Sequence, residues 1–173
     1  MTADPSKMKL RAESAPAANV LDSGKRRRML LVSNPNSRRG STVLDPAMEA
    51  LAAAEIEVVP VMAKSASGLT SSILAEAHKA DGIVVAGGDG TMNAAAAALV
   101  KTGLPLGLLP SGTANDLART LAVPEDPRKA AAIIAAGHTR RIDLGEVNGN
   151  YFFNVAALEL SKSVILCEAL IDA

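Results

Sequence analysis

Gly82-Ile-Val-Val-Ala-Gly-Gly-Asp-Gly-Thr91 is the stretch that decides the fold class. From Gly82 to Ala86 the run is continuously apolar rather than alternating, as expected of a strand covered on both faces. Three glycines follow within four residues, and then Thr91–Lys101, whose Ala94–Ala98 run has the highest helix propensity available. A strand, a glycine turn and a helix in that order form the unit from which parallel α/β sheets are built.

The same grammar extends both ways. Upstream, Met29–Ser33 reads as a buried strand ended by Asn34-Pro35. A helix is expected over Ser41–Glu55, with Val43, Leu44, Ala47, Met48 and Leu51 on one face. Ile56–Met62 reads as a second strand that Pro60 pushes towards an edge, and Leu69–Lys79 as a helix. Downstream come a strand at Leu106–Leu109, a short helix at Asn115–Leu121 and a helix at Pro127–Ala136. Pro127 suits that helix's first turn and Gly137 its end. The expectation is an α/β fold: a Rossmann-like, open, mostly parallel sheet with helices on both faces. Beyond Gly137 the pattern changes. His138–Val147 and Asn150–Ala157 read as strands joined through Asn148-Gly149, a two-residue hairpin signal. The expected organisation is a disordered basic tail at 1–28, an α/β domain at 29–137, and the start of an antiparallel β unit at 138–173.

The chain has 173 residues, room for one such domain and some extra. Its 18 Lys and Arg balance 18 Asp and Glu, and aromatics make up 2% with no Trp. With no net positive field and few stacking platforms, nucleic acid is not expected as a partner. The single Cys167 excludes an internal disulfide and a multi-cysteine zinc site. No apolar run is long enough to span a bilayer, so a cytoplasmic protein is expected. Charge is unevenly placed: residues 1–28 hold seven basic and three acidic side chains. Lys25–Arg28 could touch anionic lipid headgroups, at about 1 kcal/mol per basic residue. A solvated tail, or an extension ahead of a true start at Met29, are the plainer readings. His78, His138 and Cys167 have no arrangement suggesting a metal site or a catalytic triad.

In open parallel sheets, ligands bind beyond the carboxyl ends of the strands. Three loops there have unusual content. In Gly87-Gly88-Asp89-Gly90-Thr91 the glycines let the backbone approach a ligand, and the next helix offers its positive end to a phosphate. Asp89 makes sense beside phosphate where it organises Mg²⁺ or its waters. The plain alternative is a glycine turn with Asp89 or Thr91 as helix N-cap. Pro110-Ser111-Gly112-Thr113-Ala114-Asn115-Asp116 again places small residues and hydroxyls at a strand end, with Asn115 or Asp116 an equally reasonable N-cap. Asn34–Gly40 carries Arg38 and Arg39, which could face phosphates, although Asn-Pro and Ser are ordinary turn chemistry. Neither the Walker-type phosphate loop nor the G-x-G-x-x-G fingerprint is present.

Asn34-Pro35 with Ser37 and Gly40, Gly87–Thr91 with Asn93, and the GTANDLAR stretch at 112–119 together resemble the diacylglycerol kinase catalytic domain of soluble bacterial lipid kinases. Sphingosine and ceramide kinases are relatives of that family. The likeness runs over about Met29 to Ala157. It implies ATP and Mg²⁺ as cofactors and transfer of the γ-phosphate to a lipid hydroxyl such as that of diacylglycerol, with transient contact at a membrane surface. It implies nucleotide contacts from Gly87, Gly88, Asp89, Gly90, Thr91, Asn93 and Thr113, with Asn34 near the nucleotide. Gly112, Asn115 and Asp116 would shape the rim, and Asp89 would meet Mg²⁺ through the nucleotide. The family's general base lies late in its second domain, in an Asp-Gly-Glu segment, so no residue here is assigned that role. Lys64 stands where the family usually has Thr, and Glu159 where Gly is common. The likeness implies that 29–137 is a nucleotide-binding α/β domain and 138–173 the first strands of an incomplete β-sandwich domain, whose hairpin, lacking its sandwich partners, is expected to expose an unpaired edge. The sequence therefore resembles the front part of a lipid kinase, truncated before its rear. A non-catalytic nucleotide-binding remnant is the alternative. NAD kinase shares the glycine turn, but the 112–119 stretch argues against it. Neither the lipid acceptor nor the oligomeric state follows from these residues.

Overall fold

The structure, a computed structural model, describes residues 19–20, 26–33, 40–63, 65–147, 150–153 and 160–167. In chain order the elements are β1 (Asn19–Val20), β2 (Arg27–Ser33), α1 (Gly40–Ala53), β3 (Ile56–Val61), α2 (Ala66–Glu76), β4 (Gly82–Gly87), α3 (Asp89–Thr102), β5 (Leu106–Pro110), α4 (Asp116–Thr120), α5 (Pro127–Ala136), β6 (His138–Val147), β7 (Asn150–Phe152) and β8 (Leu160–Cys167). The strands form one sheet in the order β3-β2-β4-β5-β8-β6-β1, with β7 paired to β6.

β3, β2, β4 and β5 are mutually parallel. Every residue of β4 and β5 is buried, which is why their sequences run apolar without alternation. β3 lies at the edge, exposed at Glu57 and at Pro60, whose missing N–H an edge strand tolerates. α1 packs with α5 and α2 with α3, one pair on each face of the sheet. Of the apolar face expected on α1, Ala47 and Leu51 are fully buried and Leu44 and Met48 pack at the core's margin. The Val43 side chain lies outside what is described. The α/β class with helices on both faces is as the sequence implies.

Local chemistry explains most boundaries. α2 begins three residues earlier than expected because Ser65 accepts the Gly68 N–H at 3.1 Å and caps it. α3 begins at Asp89 rather than Thr91, because the Gly88 carbonyl already accepts the N–H groups of Thr91 and Met92. α5 has Asp126 accepting the Lys129 N–H at 2.9 Å, Pro127 at its start and Gly137 in the left-handed region at its end.

Arg27 and Arg28, the last two residues of the basic run before Met29, are part of the sheet. β2 starts at Arg27, two residues earlier than expected, and its edges are satisfied: the Arg28 N–H donates to Asp81 Oδ2 and the Asp81 N–H to the Arg28 carbonyl, both at 2.8 Å. The Arg27 guanidinium donates to the carbonyls of Ile134 and Ala135, the last turn of α5, where a cation also meets the negative helix end. Arg28 faces Glu57 and Glu76 at 3.8 and 3.9 Å. Of Arg26–Arg28, only Arg26 is left exposed to meet a lipid surface; Lys25 is not among the described residues. Arg27→Met, which keeps the alkyl stem and removes the donors, is expected to cost about 1 kcal/mol. For a chain of this size that lowers the thermal midpoint by roughly 2–4 °C; an unchanged melting curve would leave Arg27 without a stabilising role.

The antiparallel strands are more extensive than expected. β8 pairs with β6 from Thr139 to Gly145, while on its other side the described strands β1 and β7 pair with the two ends of β6 only. β8 lies parallel to β5 through the Leu106–Leu166 pair, so the antiparallel strands continue the parallel sheet. The expected strand over Asn150–Ala157 is seen as Asn150–Phe152; its remainder from 154 lies outside the described residues.

Candidate functional site

The chain passes from β2 to β3 on one side and returns to β4 on the other, so the order of the sheet reverses at β2 and β4. The carboxyl ends next to such a reversal are where a crevice opens. Ser33, the last residue of β2, pairs with Ala86, and Gly87, the last of β4, pairs with Pro110, the last of β5. The three strands thus end on one rim. Asn34, with the rest of 34–39, lies outside the described residues.

The loops after β4 and β5 are fastened to each other through their main chains. The Ser111 N–H donates to the Gly87 carbonyl at 3.1 Å. Gly88 and Gly112 then meet face to face: a Cβ on Gly112 would stand 2.5 Å from the Gly88 Cα, and a Cβ on Gly88 3.0 Å from the Gly112 Cα. Position 112 must be glycine for the two turns to touch, and a side chain at 88 would push them apart by a few tenths of an ångström. Thr91 folds back over Gly87, where a Cβ would collide with its side chain. Gly90 is different. It is exposed, and a Cβ there would meet nothing within 4 Å.

Asn115 holds the second turn in shape. It is 5% exposed, its backbone is left-handed (φ 51, ψ 43), and both ends of its amide are engaged. Oδ1 accepts the Gly112 N–H and Nδ2 donates to the Gly112 carbonyl, each at 2.9 Å. Asn is among the few residues that tolerate this backbone region. Asn115 thus occupies the N-cap position of α4 while its side chain caps nothing. Asp89 does the capping from 27 residues away: Oδ2 accepts the Asp116 N–H at 3.3 Å and Oδ1 the Leu117 N–H at 3.4 Å. The local N-cap alternatives for Asp89, Asn115 and Asp116 are therefore replaced by a cap in trans, which no local spacing reveals.

α3 itself begins at Gly88 with no side-chain cap, so its first N–H groups and positive end are available to an anion at the rim. Thr113 and Asp116 are exposed beside it. The structure thus gathers Gly87, Gly88, Asp89, Gly90, Thr91, Gly112, Thr113, Asn115 and Asp116 in one place. Asn93, exposed and one helical turn beyond Asp89, accepts the Phe153 N–H on its Oδ1 at 2.9 Å. Among the described residues no group of three or more His, Cys, Asp or Glu side chains could hold a metal. Asp89 and Asp116 are the carboxylates of this rim, and Mg²⁺ is commonly held by one or two carboxylates together with substrate phosphates.

Residues 28–147 match the family model described as diacylglycerol kinase catalytic domain. The diacylglycerol kinase of Bacillus subtilis (strain 168) is 48% identical over 79 residues, covering 44% of this chain and 26% of that protein. The diacylglycerol kinase of Staphylococcus saprophyticus is 43% identical over 79 residues, with the same coverage. A crystal structure of a diacylglycerol kinase from Bacillus anthracis str. Sterne superposes with a TM-score of 0.65 at 32% identity, over 75% of this chain and 46% of that one. The matched region spans about a quarter of the curated relatives and less than half of the solved chain.

Proposed function

Because this chain belongs to the diacylglycerol kinase catalytic domain family, we propose that its rim binds ATP with Mg²⁺ for transfer of the γ-phosphate to a lipid hydroxyl, with diacylglycerol as acceptor. The observation that carries this reading is the contact of Gly88 with Gly112 beside the uncapped start of α3. It sets the small residues of the second turn against the first N–H groups of α3, with no side chain between the two turns at that contact. Phosphoryl transfer depends mainly on positioning and charge stabilisation, so such donors are the apparatus it needs.

In this reading the Gly87–Thr91 main chain cradles the phosphates, Thr113 offers a hydroxyl from the facing turn, and Asn115 keeps that turn closed. Asp89 is the carboxylate that would hold Mg²⁺, whose charge neutralises the phosphate oxygens. Asp116 lies at the lip of the rim. Asn34 belongs to the same reading as a nucleotide neighbour. We assign the general base to no residue of this chain. Residues 29–137 form the nucleotide-binding part and 138–173 the start of a β domain on the acceptor side. Among the described residues no helix is long and apolar enough to cross a membrane. Because the acceptor is a lipid, the reading places the protein on the cytoplasmic side, in transient contact with the membrane surface.

The test has two steps. Titration calorimetry with Mg-ATP is expected to give a saturable heat that chelation of the metal weakens. Incubation with γ-labelled ATP and diacylglycerol in mixed micelles is expected to give labelled phosphatidic acid. Binding without transfer would make the chain a nucleotide-binding module without turnover. NADP formed from NAD would reassign the acceptor altogether.

A further inference from the structure

Asn93 and Phe153 join two parts of the molecule that the sequence keeps 60 residues apart. α3 starts in the glycine turn, with Asp89 held against α4. Residues four apart on a helix lie on neighbouring surface, about 6 Å along the axis. Asn93 therefore stands one turn from Asp89 on a helix whose following turns, at Ala95, Ala96, Ala98 and Leu99, are buried in the core. A helix anchored in this way moves or stays as a unit.

β7 is suspended between two supports. On one side it pairs with β6, Gly145 with Phe152 through Val147 with Asn150, and Gly145 leaves room for the Phe152 ring, into which a Cβ would run. On the other side β7 lies against α3, and the Phe153 N–H ends on Asn93 Oδ1. Phe153 is 5% exposed, and its N–H has the Asn93 oxygen as its partner in a part-buried hydrogen bond. Only the second support is connected to the glycine turn.

We propose that Asn93 is a positioning residue that ties occupancy of the Gly87–Thr91 turn to the placement of Tyr151–Phe153. This rests on the nucleotide reading of that turn. Phosphate seated on the first N–H groups of α3 restrains the helix start, and the Asn93 oxygen carries the restraint to the end of β7. Asn93 thus serves the site through another segment, whether or not its Nδ2 also reaches the nucleotide.

Amide hydrogen exchange on the full chain, with and without saturating Mg-ATP, tests the link, and calorimetry on the same samples reports binding. Saturating Mg-ATP is expected to slow exchange of the Phe153 amide at least threefold. Asn93→Ala is expected to raise its basal exchange about tenfold and to remove the response to nucleotide. Asn93→Asp, which keeps an acceptor oxygen in place, is expected to retain the response. A binding heat with unchanged Phe153 exchange in the unaltered chain overturns the proposal alone. So does an Asn93→Ala chain that responds as the unaltered one does. Absence of any binding heat removes the nucleotide reading and the proposal with it.

Discussion

Gly112→Ala is expected to destabilise the fold and abolish measurable Mg-ATP binding, whereas Gly90→Ala leaves the fold intact and removes only the binding. The two glycines stand on the same rim but answer to different constraints. A Cβ at position 112 lies 2.5 Å from the Gly88 Cα and 2.8 Å from Asn115 Oδ1. Main chain cannot swing aside as a long side chain can, so the two turns must separate and the Asn115 clamp with them. Overpacking of this kind costs about 1–3 kcal/mol. At position 90 the added methyl meets nothing, and Ala in place of Gly within a helix contributes roughly 0.5–1 kcal/mol of stability. The methyl would nevertheless stand in the first turn of α3, where the proposed phosphate approaches. Thermal melts and calorimetry on both variants check the pair. A Gly90→Ala chain that is more stable and binds Mg-ATP unchanged would remove the phosphate from that turn.

The second large effect concerns Asp89, which has a structural duty beside its proposed chemical one. Its two oxygens accept the first N–H groups of α4, so Asp89→Ala removes a cap as well as a charge. Losing such a cap costs about 0.5–2 kcal/mol. Asp89→Asn removes the charge and keeps one acceptor oxygen, so one of the two cap hydrogen bonds survives while the amide NH2 faces the other N–H. It is expected to fold with a midpoint between those of the unaltered chain and Asp89→Ala while weakening Mg-ATP affinity at least about tenfold, equivalent to ~1.4 kcal/mol. Titrations at several Mg²⁺ concentrations separate the terms: the affinity of Asp89→Asn should no longer respond to the metal. If Asp89→Asn binds Mg-ATP as the unaltered chain does, Asp89 is a cap and nothing more.

Much of the fold could be read because its central strands are covered on both faces. β4 and β5 had to be continuous apolar runs, and both are fully buried. Once those strands were recognised, the rule for open parallel sheets brought the turns after them to one rim. What sequence could not supply was contact between distant residues. Arg27 and Arg28 read as the end of a charged tail, yet Arg27 finds the end of α5 more than 100 residues away and Arg28 lies in the sheet. β8 escaped notice because its place between β5 and β6 depends on tertiary pairing rather than a local signal. Asn115 was legible as a helix N-cap candidate and, by resemblance, as a residue shaping the rim, but its two-point hold on Gly112 needs the left-handed backbone to be seen. Asn93 was grouped by resemblance with the nucleotide contacts, and no local signal could show that its oxygen also accepts the Phe153 N–H, 60 residues away.

The meeting of Gly88 and Gly112 also bears on how this protein can vary. Where two side chains touch, a loss of volume on one can be made good by a gain on the other, and lineages drift through compensated pairs. Here the partners are bare α-carbons, and neither has anything left to give up. A library randomised at codons 88 and 112 together should therefore return a single solution, with no suppressor among its neighbours.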